Sequence, residues 1–263
     1  MDLAALRDFA LHLADAADAI ALDRFGGPVL AVTKPDGSPV TAADKAIEAT
    51  LRARIAAAHP DHAILGEEEG GHPLDPAVPT WVIDPIDATA NFMRGVPVFA
   101  TLVALVHGGQ PIVGVASAPA MGERWDAAEG LGARRNDVQV GVSAIASLAD
   151  AHVLHGGLRW YRDDPAAWEL LGALADDSWR TRGFGDYWMH LLVAGGMADV
   201  ALDRDLKPWD IAAPACIVTE AGGRATDWEG GPALGTGDLL STNGVLHDEL
   251  TERLRPHAGR PQR

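Results

Sequence analysis

The stretch Trp81-Val82-Ile83-Asp84-Pro85-Ile86-Asp87-Ala88-Thr89-Ala90-Asn91-Phe92 decides how this chain is read. Trp81-Val82-Ile83 has the pattern of the end of a buried strand. Asp84 and Asp87 follow where the strand would leave the core, and Pro85 between them fixes φ in a stiff turn. Two carboxylates held close in a low-dielectric cleft repel each other unless a cation sits between them. Hard divalent ions such as Mg²⁺ take oxygen ligands of this kind. Ala88-Thr89-Ala90-Asn91 then predicts the first turn of a helix, whose free N–H groups suit an anion. Metal and phosphate would meet at one place. Taken by itself, the stretch is equally readable as a surface turn with acidic caps.

Composition narrows the setting. With 263 residues and 48% hydrophobic side chains, the chain can bury a sizeable core as one large domain or two small ones. A formal charge of −16 argues against nucleic acid and anionic membrane as partners, and favours a cationic substrate if the acids line a site. Cys216 is the single cysteine and lies in an apolar run, so it has no disulfide partner within the chain and is expected in the core. The first residues lack the basic and apolar blocks of a signal peptide, and no apolar run is long enough to span a bilayer. The expectation is a soluble cytoplasmic protein.

Working outward, residues 3–24 carry apolar side chains at helical spacing, ending at Gly26-Gly27-Pro28. Residues 33–40 form a loop rich in turn residues, a candidate lid, on which Lys34 reads as solvated rather than phosphate-binding. Thr41 caps a helix to about Ala58, with Asp44 in its first turn. A short strand, Ala63-Ile64-Leu65, runs into Gly66-Glu67-Glu68-Glu69-Gly70-Gly71, where a carboxylate is placed either as a ligand or as part of a solvated run. Two apolar runs, 99–106 and 111–118, flank the turn His107-Gly108-Gly109-Gln110, and a second hairpin covers 124–133, as in a large antiparallel sheet. After Val142, strands and helices alternate, which predicts a second lobe with a mixed sheet. Lys207-Pro208-Trp209-Asp210 opens a helix to Ala221, and in isolation Asp210 is a plain helix-start acid.

Three segments in this order, Gly66-Glu67-Glu68, Asp84 to Phe92, and Trp209-Asp210-Ile211-Ala212-Ala213 running into Glu220-Ala221-Gly222-Gly223, resemble the inositol monophosphatase-like family of Mg²⁺-dependent phosphatases. The resemblance covers nearly the whole chain. It implies an α/β (α+β) fold, a layered α-β-α-β-α sandwich, with residues 1–142 as one lobe and residues 143–263 as the other. It implies two or three Mg²⁺ ions held by Glu67, Asp84, Asp87, the carbonyl of Ile86, and Asp210 from the far lobe. Glu67, Thr89 and Asp44 would form the catalytic group, Thr89 and Asp44 orienting and helping to deprotonate the attacking water. Ala88 and Thr89 would offer N–H groups to the phosphate. Ala88 departs from the family's usual glycine; alanine keeps its N–H but is strained at positive φ. Members are often homodimers, and the apolar hairpin 99–118 is a candidate interface.

Gly183-Phe184-Gly185-Asp186-Tyr187-Trp188, preceded by Arg182, stands where inositol-type members carry Gly-Ser-Ala-Ala, and resembles the histidinol-phosphate phosphatase branch, as do residues 92–98 and 241–247. The substrate implied is a small phosphate ester with an ammonium and an imidazole, contacted by Asp186, Asp203, Asp210 and Arg182; each of the first two and Arg182 is otherwise a surface ion-pairing group. The other readings are an inositol-1-monophosphatase or broader sugar or nucleotide phosphatase, and a metal-dependent binding protein in which Ala88 has weakened catalysis.

Overall fold

A computed structural model describes residues 1–27, 31–33, 39–162 and 164–258; Lys34 and most of the expected lid loop lie outside these. Helix α1 (Leu3–Arg24) starts at Asp2, whose carboxylate accepts from Ala5 N–H, and buries Leu6, Ala10, Leu13, Ala14 and Ala17. The small side chains let it lie close against its neighbours. Strands β1 (Ala31–Thr33) and β2 (Pro39–Thr41) pair as an antiparallel ribbon, so the ends of the stretch expected to be loop are strand. Helix α2 (Ala42–Ala58) begins with a full capping box, Thr41 and Asp44 satisfying each other's backbone N–H groups.

Strand β3 (Ala63–Gly66), β4 (Gly70–Gly71) and β5 (Thr80–Asp87) come next. Here the structure corrects one reading. Asp84-Pro85-Ile86-Asp87 is not a turn but the last part of β5, and the register against β6 (Ala100–His107) shifts between Asp84 and Asp87. Proline has no N–H to give the ladder, so the strand bulges there instead of ending. The chain turns one residue later, at Ala88, into the short helix α3 (Thr89–Met93). Strands β7 (Gln110–Ala118), β8 (Glu123–Ala128), β9 (Gly132–Arg135) and β10 (Val138–Gln139) complete an eight-stranded sheet of order β10-β9-β8-β7-β6-β5-β3-β4. It is antiparallel except where β3 runs parallel to β5. The apolar hairpin β6–β7 is central and almost wholly buried within its own chain, so it offers no face to a second copy.

The second sheet, ordered β12-β11-β13-β15-β14, joins β11 (His152–His155), β12 (Arg180–Gly183), β13 (Val200–Asp203), β14 (Arg224–Thr226) and β15 (Leu239–Thr242), and is mixed: β11 is parallel to β12 and β13, while β15 is antiparallel to β13 and β14. The helices here are α4 (Leu158–Arg162), α5 (Pro165–Asp177), α6 (Asp186–Ala194), α7 (Pro208–Glu220) and α8 (His247–Leu254). Three buried clusters define the layers. Leu13, Ile47 and Leu51 of α1 and α2 pack on Trp81, Ile83, Val103 and Val113 of the first sheet. Its other face, with Val82, Leu102 and Trp125, packs on Leu191, Ala212, Ala213 and Ile217 of α6 and α7. Tyr161, Leu171, Leu174 and Leu250 of α4, α5 and α8 cover Val153, Val200, Leu202 and Leu240 of the second sheet. The result is the α-β-α-β-α stack, with α6 and α7 as the middle layer.

Candidate active site

The end of β5 meets the starts of α6 and α7 in the middle of this stack. Asp84, Asp87 and Asp210 each bring a carboxylate oxygen within 4.8 Å of the other two. Asp84 is 2% exposed, and its Oδ1 has no hydrogen-bond partner. The Glu67 carboxyl lies within hydrogen-bonding reach of the Asp84 carboxyl. Burial first, then the charges of Glu67, Asp87 and Asp210, push the Asp84 carboxyl well above its usual range. Burial, then Asp186 and Asp210, does the same to Asp87. Burial moves Asp210 up to about 7, against the N–H of Lys207, which donates to Asp210 Oδ2 at 2.7 Å. A buried oxygen without a donor, among acids that cannot all ionise together, is the donor set of a hard divalent cation. The residues fit such an ion.

The local reasons for the arrangement differ. Asp87 is aimed by the N–H of Tyr187, 2.8 Å from Oδ2, so the start of α6 holds a carboxylate that β5 supplies. Asp210 is the third residue of α7, where a carboxylate returns to the backbone N–H at the helix start. The Ile86 carbonyl accepts from Thr89 Oγ1 at 2.9 Å, and Thr89 Oγ1 also lies 3.5 Å from Asp44 Oδ1. Asp44 is fully buried; its Oδ2 takes the Thr41 N–H at 2.8 Å, leaving Oδ1 turned toward Thr89, and burial raises its pKa in spite of the Thr41 bonds. Ala88 stands at φ 64 and ψ 45, in the left-handed region, and its carbonyl accepts from Asn91 and Phe92 N–H. The chain has therefore accepted the backbone strain that alanine brings.

A cavity of about 840 Å³ opens from Asp87 and Asp210, and its wall includes Asp186, Asp203, Trp160 and Phe184. Burial lifts Asp186 to about 6 and Asp203 to about 8, the latter despite the Arg204 N–H at 2.8 Å from Oδ1. Arg204, also on the wall, is taken up by Asp164, Asp238 and the face of Trp228. Arg182 is set apart. It is exposed on the edge strand β12 and donates to the Thr181 carbonyl at 2.7 Å. Its neighbour Gly183 is the one that lines the cavity, and alternate residues of a strand face opposite sides.

Glu48 had no place in the sequence argument. It is fully buried on α2, one turn after Asp44, and accepts from Glu68 N–H at 2.8 Å and Glu69 N–H at 3.0 Å, while pairing with Arg52. A Cβ on Gly66 would lie 2.1 Å from Glu48 Oε1, so only glycine lets the chain pass this carboxylate. Glu48 thus fixes the turn that carries Glu67. The signal was present: two acids, at 44 and 48, interrupt the apolar stripe of Ala43, Ile47, Leu51 and Ile55.

Comparison with known proteins gives one consistent answer. Residues 2–259 match the inositol monophosphatase family. A histidinol-phosphatase of Streptomyces coelicolor is 44% identical, over 90% of this chain and 92% of that protein. A histidinol-phosphatase of Mycobacterium tuberculosis is 43% identical, over 93% of this chain and 96% of that protein. Among solved structures, an inositol monophosphatase from Anabaena superposes with a TM-score of 0.83 at 32% identity, over 97% of each chain.

Proposed function

Since the chain belongs to the inositol monophosphatase family and is a phosphoric monoester hydrolase, we propose that its physiological ester is histidinol phosphate, cleaved with Mg²⁺ by direct attack of water. The observation that carries the reading is the joining of two features in one cleft: the three converging carboxylates, and a neighbouring wall rich in acids whose one arginine is already paired. Glu67, Asp84, Asp87, Asp210 and the Ile86 carbonyl would hold the metal. A bound divalent ion acidifies water and neutralises charge on the transferring phosphoryl group. Thr89 and Asp44 would hold the attacking water: the Thr89 hydroxyl proton, given to the Ile86 carbonyl at 2.9 Å, would turn to Asp44 Oδ1, 3.5 Å away, once that carbonyl faced a metal, and the Thr89 oxygen would then accept from the water. The N–H groups of Ala88 and Thr89 would face the phosphate.

The organic half of the ester would occupy the cavity. An ammonium beside the exposed Asp186 and the buried Asp203 supplies the countercharge that burial denies Asp203, and Trp160 and Phe184 offer π faces to an imidazole. An uncharged polyol gains neither. Identity to the two histidinol-phosphatases also exceeds that to the Anabaena inositol monophosphatase.

The test is a panel of esters assayed with Mg²⁺, repeated with Asp87→Asn. Histidinol phosphate should show the largest kcat/KM, well above inositol 1-phosphate. Asp87→Asn should lower kcat by at least about 100-fold with the fold intact, in line with loss of a group that stabilises transition-state charge. A variant as fast as the parent would remove Asp87 from the metal site. Equal rates on both esters would remove the substrate assignment.

A further inference from the structure

We infer that His155 is a specificity residue, reading an N–H donor on the organic half of the substrate through its Nε2 atom. The inference rests on the substrate reading above and adds to it a residue that neither motif nor family pattern singled out.

His155 is the last residue of β11 and lines the cavity with Asp203 and Asp186. Its Nδ1 lies 2.9 Å from the carbonyl oxygen of Gly156. A carbonyl can only accept, so Nδ1 carries the hydrogen, and in the neutral ring Nε2 is left as an acceptor. Among the described residues Nε2 makes no hydrogen bond, and it is not sealed from solvent, on a residue that lines the cavity. The ring is held in place rather than free to swing. A Cβ on Gly183 would lie 2.8 Å from His155 Cε1, so the ring packs directly against glycine backbone. Tyr161 meets it edge-on from the other element, with ring centroids 6.4 Å apart.

The adjoining residue extends the same surface. A Cβ on Gly156 would lie 1.9 Å from Asp203 Oδ1, so the Asp203 carboxyl rests on the bare backbone next to His155. Asp203 and His155 therefore sit on adjoining backbone of one wall, and an ammonium beside Asp203 would hold it in its ionised, accepting form next to the Nε2 acceptor. A ligand that satisfies both must carry two donors and positive charge. An ammonium and an imidazole N–H on one small molecule meet that requirement; a polyol meets it only with hydroxyls that must also find acceptors elsewhere.

The experiment compares His155→Phe, which keeps a flat ring and removes the acceptor, with the parent on two esters: histidinol phosphate and phenyl phosphate, which has no N–H donor. For histidinol phosphate KM should rise about three- to tenfold, as for loss of a neutral hydrogen bond, with kcat within about twofold. For phenyl phosphate both constants should stay within about twofold, which also shows that the variant folds. Binding of histidinol itself, measured by calorimetry without turnover, should weaken in parallel. Gly183→Ala, which displaces the ring, should raise KM for histidinol phosphate in the parent and add little to His155→Phe. An unchanged KM for histidinol phosphate, or equal losses on both esters, overturns the role of His155 while leaving the substrate assignment standing. A parent enzyme with no preference for histidinol phosphate over inositol 1-phosphate overturns both.

Discussion

Ala88 offers the sharpest test of the site's backbone. Its φ of 64 and ψ of 45 are conditions an L-residue resists, because Cβ crowds the following carbonyl, at roughly 1–2 kcal/mol. It cannot relax, since its carbonyl holds Asn91 N–H at 2.9 Å and Phe92 N–H at 3.1 Å, which are the first bonds of α3. Ala88→Gly removes that strain. It also loses a methyl that packs on the α1–α2 side of the first sheet, worth roughly 0.5 kcal/mol when partly buried, and it frees the unfolded chain by about 0.4–1 kcal/mol. The last contribution can be cancelled by a control. Ala90→Gly, two residues on in the helix and exposed, carries the same unfolded-state effect without any strain to relieve. Ala90→Gly should destabilise by up to about 1 kcal/mol. Ala88→Gly should lie above it by about 1 kcal/mol, a Tm difference of roughly 2–4 °C in a chain of this size. Thermal unfolding of the two metal-free variants side by side measures this. If Ala88→Gly unfolds at or below the temperature of Ala90→Gly, the strain assigned to residue 88 is absent and its left-handed geometry is wrong.

The acids of the cleft predict an inverted response to pH. Burial raises Asp210 to about 7 and Asp203 to about 8 in the folded protein, both above the unfolded value of 3.8. The folded state then binds more protons than the unfolded one, so the stability these groups contribute is complete below pH 3.8 and is lost as pH rises through 7 and 8. Metal-free protein should lose several degrees of Tm between pH 5.5 and 8.5, and Mg²⁺ should restore more of it at the upper end, because metal displaces protons there; a Tm that rises over this range without metal would contradict the assignment. Glu48→Gln should uncouple the Glu67 turn: Gln keeps one acceptor oxygen, so one of the two backbone N–H groups loses its partner at a cost of about 1–3 kcal/mol, while Arg52 keeps Glu69 and the Gly70 carbonyl, and Mg²⁺ affinity measured by calorimetry should fall along with Tm. Unchanged Mg²⁺ affinity would show that Glu48 is structural only.

The parts legible in the sequence were those fixed by local pattern. Helix α1 follows from its apolar spacing, α2 from the Thr41 cap, and the β6–β7 hairpin from two apolar runs around a glycine pair. The Asp84–Asp87–Asp210 convergence was reached through motif order, because nothing local to Asp210 distinguishes a candidate ligand from a helix-start acid; its carboxylate does both, Oδ2 accepting from Lys207 N–H while one of its oxygens lies within 4.8 Å of oxygens of Asp84 and Asp87. What was not legible depended on register and on contacts across layers. Pro85 predicts a turn, but a strand in the middle of a sheet can absorb it as a bulge when both neighbours hold the chain. Arg182 and Gly183 differ by one residue and so face opposite sides of β12, a parity that short strands do not reveal. The hairpin that suggested an interface is apolar because both of its faces are covered within the chain.

That dependence on layers yields a prediction far from any ligand. Asp210 reaches β5's acids from a helix, α7, that lies tight on the first sheet, and Gly114 of β7 is a point of close approach. A Cβ there would sit 2.7 Å from the Ala213 carbonyl oxygen and 2.9 Å from Cys216 Cβ. Both are in the helix that carries Asp210, and Ala213 is one turn beyond it. Neither obstacle is the end of a flexible side chain, so Gly114→Ala must lift α7 by several tenths of an ångström or more. Overpacking of this kind costs typically about 1–3 kcal/mol. The lift also widens the carboxylate triangle, whose oxygens are now within 4.8 Å of one another. Hard-cation coordination tolerates little of that, since carboxylate oxygens bind Mg²⁺ at about 2.1 Å. Gly114→Ala should therefore weaken Mg²⁺ binding and raise the Mg²⁺ concentration needed for half-maximal activity, though the substituted residue touches neither metal ligand nor cavity wall. Cys216→Ala in the same background removes only the sulfur, leaves Cβ and the Ala213 carbonyl in place, and so should not rescue it. If Gly114→Ala lowers Tm but binds Mg²⁺ as tightly as the parent, the position of Asp210 is set by its own helix start and not by the packing of the middle layer.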